Sequence, residues 1–140
     1  MNIFEEIGGA GAGSVDWVYS TVSHAISSGI ERLFLQGADA VVGIGNSGDN
    51  EVFGSMADNR LSGRAGNDIL ETSGVGHDTL RGGSGDDRIR INDGDDCTAS
   101  GGERFDRIEL RAVCVLSDAR KSEFAQVLGR ILIHVKRKPL

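Results

Sequence analysis

Seven short polar side chains recur along this 140-residue chain at near-constant intervals: Asn50, Asn59, Asp68, Asp78, Asp87, Asp96 and Asp106. The intervals are nine, nine, ten, nine, nine and ten residues. Glycines accompany them, most densely at Gly63, Gly66, Gly82, Gly83 and Gly85, with Gly76 and Gly94 in the units of Asp78 and Asp96. Carboxylates brought together repel, by about 1 kcal/mol per pair at roughly 4 Å in water and by more when partly buried. A hard cation between them reverses the sign of that term. Calcium takes six to eight oxygen ligands at about 2.3–2.6 Å, backbone carbonyls included. Glycine loops leave carbonyls free, so the expected chemistry is calcium binding. Magnesium fits less well, because it keeps its waters and demands stricter octahedral geometry.

The rest of each unit supplies the elements that position these groups. Two residues after each marker stands Val52, Leu61, Leu70, Leu80, Ile89, Thr98 or Ile108, with Thr98 the weak member. The first six residues of a unit must turn sharply, and glycine supplies the positive φ angles that other residues resist. The last three form a short strand whose central residue points inward. Two units make one coil, with a strand on each of two opposed parallel sheets. Stacked coils bury a continuous aliphatic ladder that no single unit could bury alone. Loops of alternate units share an edge. Asn50, Asp68, Asp87 and Asp106 fall on one edge, and Asn59, Asp78 and Asp96 on the other. Neighbours on an edge lie roughly 4.8 Å apart along the stack. The two intervals of ten place one-residue insertions near Gly74 and near Ser100.

The expected sites differ in quality. Asp68 with Asp87 keeps the most glycines: Gly63, Gly66, Gly82, Gly83 and Gly85. Asp78 with Asp96 follows, through Gly76 and Gly94. Asp87 with Asp106 has Arg104 where the fourth-position glycine belongs. Asn50 with Asp68 lacks one charge. Asn50 and Asn59 also fit a turn-making role, since Asn tolerates the left-handed conformation. Asp49, Asp58, Asp86, Asp93 and Asp95 fall off the register and read as a solvated acidic rim.

Gly82 to Arg90 reads Gly-Gly-Ser-Gly-Asp-Asp-Arg-Ile-Arg. It matches the nonapeptide Gly-Gly-x-Gly-x-Asp-x-U-x, where U is a large aliphatic residue. Residues 45–53, 54–62 and 63–71 form contiguous units upstream. On these residues the chain resembles the RTX, or haemolysin-type calcium-binding, repeat family of bacteria. Residues 14–23 look like the degenerate segment that often precedes such arrays, and residues 29–46 like the entry segment. The resemblance implies an all-β fold, a right-handed parallel β-roll, with calcium as cofactor. It implies a module that is disordered without calcium and belongs to a secreted protein such as a toxin, protease or lipase. A type I secretion apparatus would then be a partner. Two other readings share the roll: a secreted surface or matrix interaction protein, and a polysaccharide-binding accessory module of an alginate-epimerase-like enzyme. The expected organisation is one continuous domain. Residues 1–42 form degenerate entry coils, 43–110 the calcium-binding roll, and 111–140 a cap and basic tail.

Composition agrees. Twenty-one glycines and one proline suit a solenoid and oppose a long-helix bundle. Charge is segregated: residues 45–106 carry thirteen acids against six bases, and residues 107–140 three acids against eight bases. An acidic array disfavours nucleic acid, which needs a basic face. It favours cations, and resists compaction without them. No stretch approaches the ~20 apolar residues of a membrane-spanning helix. Met1 to Ile7 contains two glutamates and no base, unlike a cleavable N-terminal signal.

Cys97 and Cys114 are seventeen residues apart, near one coil but out of step, and fit either unpaired packing or a disulfide. Phe124, Val127, Leu128, Ile131, Leu132 and Val135 follow the rhythm of an amphipathic helix that would cap the roll. A hairpin around Gly129 is the alternative, and the rhythm favours the helix. His24, His77 and His134 form no recognisable catalytic grouping with a serine or carboxylate, so no enzymatic site is expected.

Overall fold

The computed structural model describes residues 3–6, 13–92, 95–103, 106–110, 113–116, 124–127 and 134–135. All regular elements among them are strands. The first sheet comprises β1 (Ile3–Glu6), β2 (Trp17–Ser20), β4 (Arg32–Leu35), β6 (Glu51–Phe53), β8 (Ile69–Glu71), β10 (Arg88–Ile91), β12 (Arg107–Leu110) and β14 (Phe124–Val127). The second comprises β3 (His24–Ala25), β5 (Val42–Ile44), β7 (Arg60–Ala65), β9 (Gly76–Ser84), β11 (Asp95–Glu103), β13 (Val113–Leu116) and β15 (His134–Val135). From β2 onward, successive strands alternate between sheets. Neighbours within a sheet are parallel, except that β1 runs antiparallel to β2. This is a parallel β-roll.

The core is two facing ladders. Val18, Leu33, Val52, Leu70, Ile89 and Ile108 are consecutive register partners in the first sheet, each 0% exposed. Gly43, Leu61, Leu80 and Ala99 face them from the second sheet. Gly43 brings no side chain to the second ladder. A β-carbon there would sit 3.1 Å from Leu35 and 3.2 Å from Leu33, so the opposing leucines already fill its place. Arg60 and Arg81 point out to solvent, as alternation along a strand requires. On the outer face of the first sheet, Tyr19, Phe34 and Phe53 stack at centroid distances of 5.0 and 4.7 Å. Ion pairs such as Arg32–Glu51, at 3.0 Å, run beside them. Like strands one coil apart repeat the same outward positions, so aromatic and charged columns form as a by-product of the period.

Two expectations need correction. Leu80 is paired with Ala99, not with Thr98, and Asp78 with Cys97, not with Asp96. The second insertion therefore lies before Cys97 and not near Ser100. A one-residue slip exchanges the two faces of a strand. The observed register buries the apolar Ala99 at 0% and leaves the Thr98 hydroxyl in solvent. The expected register would bury that hydroxyl instead. The second correction concerns the C-terminal helix. Phe124–Val127 is a strand, parallel to β12 with Ile108 opposite Ala125, and His134–Val135 is a strand on β13. The reason is tertiary: β12 and β13 present unpaired backbone groups at a sheet edge, and another strand satisfies them. The intervening residues 117–123 and 128–133 lie outside the described residues.

Candidate metal centre

Asp68, Asp87 and Asp106 each turn the side chain back against the first glycine of their own unit, Gly63, Gly82 and Gly101. Asp68, Asp78, Asp87 and Asp106 are 1–2% exposed. They are tied into columns through one carboxylate oxygen each. The Asn50 N–H donates to Asp68 Oδ1 at 2.8 Å, the Asp68 N–H to Asp87 Oδ1 at 2.9 Å, and the Asp87 N–H to Asp106 Oδ1 at 2.9 Å. On the opposite edge the Asn59 N–H donates to Asp78 Oδ1 at 2.7 Å. The alternation of edges expected from the spacing is present as far as these residues go.

The second oxygen is the chemically informative one. Oδ2 of Asp68, Asp87 and Asp106 is buried without a hydrogen-bond partner. It lies against the first glycine of its own unit. A β-carbon at Gly63 would overlap Asp68 Oδ2, and one at Gly82 would overlap Asp87 Oδ2. Backbone carbonyls crowd the same space. The Gly82 carbonyl oxygen would lie 2.7 Å from a β-carbon on Gly63, and the Gly101 oxygen 2.5 Å from one on Gly82. Gly83, at φ +119°, admits the Arg64 carbonyl of the preceding coil, and Gly85 admits that of Gly66. Gly66 takes the Gly48 carbonyl in the same way. On the other edge, Gly76 lies over Ala57 and Asp58. Gly94 is outside the described residues, and Asp96 stands in the fifth-position register opposite His77. The expected Asp78–Asp96 pairing does not form.

Electrostatics follow from the burial. Desolvation raises the Asp68 carboxyl to about 7 from its ordinary 3.8; the Asn50 N–H partly offsets this, and the charges of Asp87 and Asp49 add to it. Desolvation likewise raises Asp87 to about 6, against the Asp68 N–H and with Asp106 and Asp86. Asp106 is raised for the same leading reason. A buried carboxylate oxygen without a partner is unfavourable unless a cation or proton meets it. No three His, Cys, Asp or Glu side chains gather into a metal cluster among the described residues. The donors are one carboxylate per coil plus backbone carbonyls. That all-oxygen set fits a hard cation and gives a soft one nothing.

The RTX calcium-binding nonapeptide repeat, a family model of four copies, matches residues 44–74 and 72–104. This stretch is an RTX calcium-binding repeat array. Repeats of this family bind calcium. Neither the curated proteins nor the solved structures contain a significant match to the chain. An RTX array is a structural calcium-binding module and not itself catalytic. No helix among the described residues is long and apolar enough to cross a membrane.

The start of the RTX array is closed by amides. Asn50 Oδ1 accepts from the Asn46 N–H at 2.7 Å, and Asn50 Nδ2 donates to the Ile30 carbonyl at 3.2 Å. Asn46 Nδ2 donates to the carbonyls of Ser27 and Ile30, both at 2.8 Å. Asn59 Oδ1 accepts from the Ser55 N–H at 2.6 Å. These bonds hold the tight turns in which both asparagines sit.

A further column on each edge was missed from sequence. Asp49 Oδ1 accepts from the Asn67 N–H at 2.8 Å, Asn67 Oδ1 from the Asp86 N–H at 2.9 Å, and Asp58 Oδ1 from the His77 N–H at 2.9 Å. Asp49, Asp58 and Asp86 are exposed, as a rim would be, yet these fifth-position bonds lace successive coils together on both edges. Their direction is opposite to that of the sixth-position columns. The available signal was the run of short acceptor side chains in the fifth position of most units.

Proposed function

We propose that this chain is a calcium-gated folding module of a secreted protein, and that its ions lie mainly along the edge of Asp68, Asp87 and Asp106. The observation that carries this reading is the set of buried, unpartnered Oδ2 atoms, each in a slot that only glycine leaves open. The proposed ligands are these Oδ2 atoms with carbonyl oxygens of the surrounding glycine loops, including those of Gly63, Gly66, Gly82 and Gly83. Asp78 and Gly76 form a second, weaker position on the other edge. Without a cation, the roll must hold raised carboxyls against their own repulsion, which favours the open chain near neutrality. Binding energy then becomes folding energy. The secreted habit of the RTX family supports an extracellular setting, where calcium is abundant, and export through a type I apparatus before calcium is met.

Far-ultraviolet circular dichroism of chelator-treated protein tests the coupling. Millimolar calcium should bring a large gain of β signal, and equal magnesium far less. A full β spectrum in chelator that calcium leaves unchanged would remove the gating and keep only the fold.

A further inference from the structure

The second edge changes chemistry beyond Asp78. Strands β9 and β11 set Asp78 opposite Cys97, and β11 and β13 set Cys97 opposite Cys114. Upstream, the Asn59 N–H meets Asp78 Oδ1 in the same column. The sixth-position column on this edge thus reads Asn59, Asp78, Cys97, Cys114. Residue counting hides the last step. Thr79 to Thr98 spans nineteen residues, whereas Thr98 to its partner Val115 spans seventeen. The coil that joins the two cysteines is therefore two residues shorter than its neighbour, and this shortening brings them into register.

In-register partners on adjacent strands have α-carbons roughly 4.8 Å apart. That lies within the window of about 4.4–6.8 Å that disulfides take. Sulfur is a poor ligand for calcium, so the ionic link between coils cannot continue through this pair. The chain holds two cysteines, so each has one possible intramolecular partner. We propose that Cys97 and Cys114 form a disulfide that joins the coils of β11 and β13 where the carboxylate column stops. The bond closes by exchange. One thiolate attacks a small-molecule disulfide and releases one thiol; the other then attacks the mixed disulfide and releases the second. The protein loses two electrons and two protons, and one small disulfide becomes two thiols. An extracellular setting keeps such a bond oxidised.

Intact mass spectrometry tests this on the full chain. The protein in calcium buffer is incubated with oxidised glutathione, denatured, and alkylated with iodoacetamide. The expected product is a monomer lighter by two hydrogens that takes no alkyl group until it is reduced, and then takes two. Digestion should yield one cross-linked peptide pair containing both cysteines. Closure in strong denaturant should be several-fold slower, because the fold supplies the register. Two alkyl groups without reduction, glutathione retained on both cysteines, a disulfide-linked dimer, or equal rates with and without denaturant would each overturn the proposal. None of these readouts depends on the calcium reading. The Cys97→Ser variant serves as control, since Cys114 alone should end as a glutathione adduct.

Discussion

The backbone N–H of Asp68 donates to Asp87 Oδ1 at 2.9 Å, nineteen residues away, and leaves Asp87 Oδ2 buried without a hydrogen-bond partner. Oδ1 sets the stacking of coils, and Oδ2 is the cation ligand of the proposed function. The Asp87→Asn variant separates them, because the amide can keep the acceptor while removing the charge. A buried charged contact is worth about 1.5–3 kcal/mol. The calcium midpoint by titration calorimetry should therefore rise by about tenfold or more. Asp58→Asn, in the exposed column, should move it far less. Equal shifts would show that diffuse charge governs binding.

Protonation should compete with calcium. Asp68 is raised to about 7 and Asp87 to about 6 in the folded chain, against an ordinary 3.8. A raised carboxyl favours the folded state while it is protonated. For the calcium-free chain, stability present at low pH is lost as pH rises from about 4 through about 7. Saturating calcium should reverse the slope over that window, because protons then displace the ion. Urea midpoints in chelator and in calcium, measured across this range, check both signs. A chelator midpoint that climbs with pH would contradict the burial of these carboxyls.

The register on the second sheet is open to test by paired substitutions. Asp78→Ala should raise the calcium midpoint more than Asp96→Ala, since Asp96 lies opposite His77 and outside the column of Asp78. Ala99→Leu should destabilise by about 1–3 kcal/mol through overpacking. Thr98→Leu, on the outer face, should change stability little. Denaturant midpoints with calcium present would decide it, and the reverse order would restore the simple nonapeptide count.

Leu70 and Leu80 are 0% and 1% exposed at the centre of the two ladders. Truncation of either to Ala should cost about 2–5 kcal/mol, a large share of the stability of a domain this size. Urea unfolding in saturating calcium measures it. A loss below about 1 kcal/mol at both positions would mean that the ladders do not carry the fold.

Arg64 is the one non-glycine residue with positive φ, at 82°, among the described residues. It occupies the second position of its unit, where Gly83 and Gly102 stand in later coils. A left-handed L-residue costs about 1–2 kcal/mol, of which the added flexibility of glycine in the unfolded chain returns part. Arg64→Gly should therefore stabilise the calcium-loaded roll by up to about 1 kcal/mol. A lower melting temperature for that variant would show that the arginine side chain contributes more than its backbone strain.

What the sequence determined by itself was everything that repeats locally. Glycine and aspartate at fixed offsets specify the turn, because glycine admits its close approaches and positive φ angles and the aspartate oxygen accepts a backbone N–H of the neighbouring coil. The aliphatic two residues later specifies which face is buried. From these came the roll, the two ladders, the edge shared by Asp68, Asp87 and Asp106, and calcium as the ion. What only the tertiary structure decided was register where the local pattern is ambiguous. Around Asp95–Asp96–Cys97 and Thr98–Ala99 two alignments satisfy the nonapeptide about equally. Hydrogen bonds to β9 and burial against the opposite ladder select the one that places Ala99 inside and Cys97 over Asp78. The same holds for Phe124–Val127, whose helical rhythm yields to an open strand edge on β12. The division of Oδ1 from Oδ2, and the column of Asp49, Asn67 and Asp86, also require two coils in contact. Pairings between coils join residues some nineteen positions apart, and no local rule can count them when one loop gains or loses a residue.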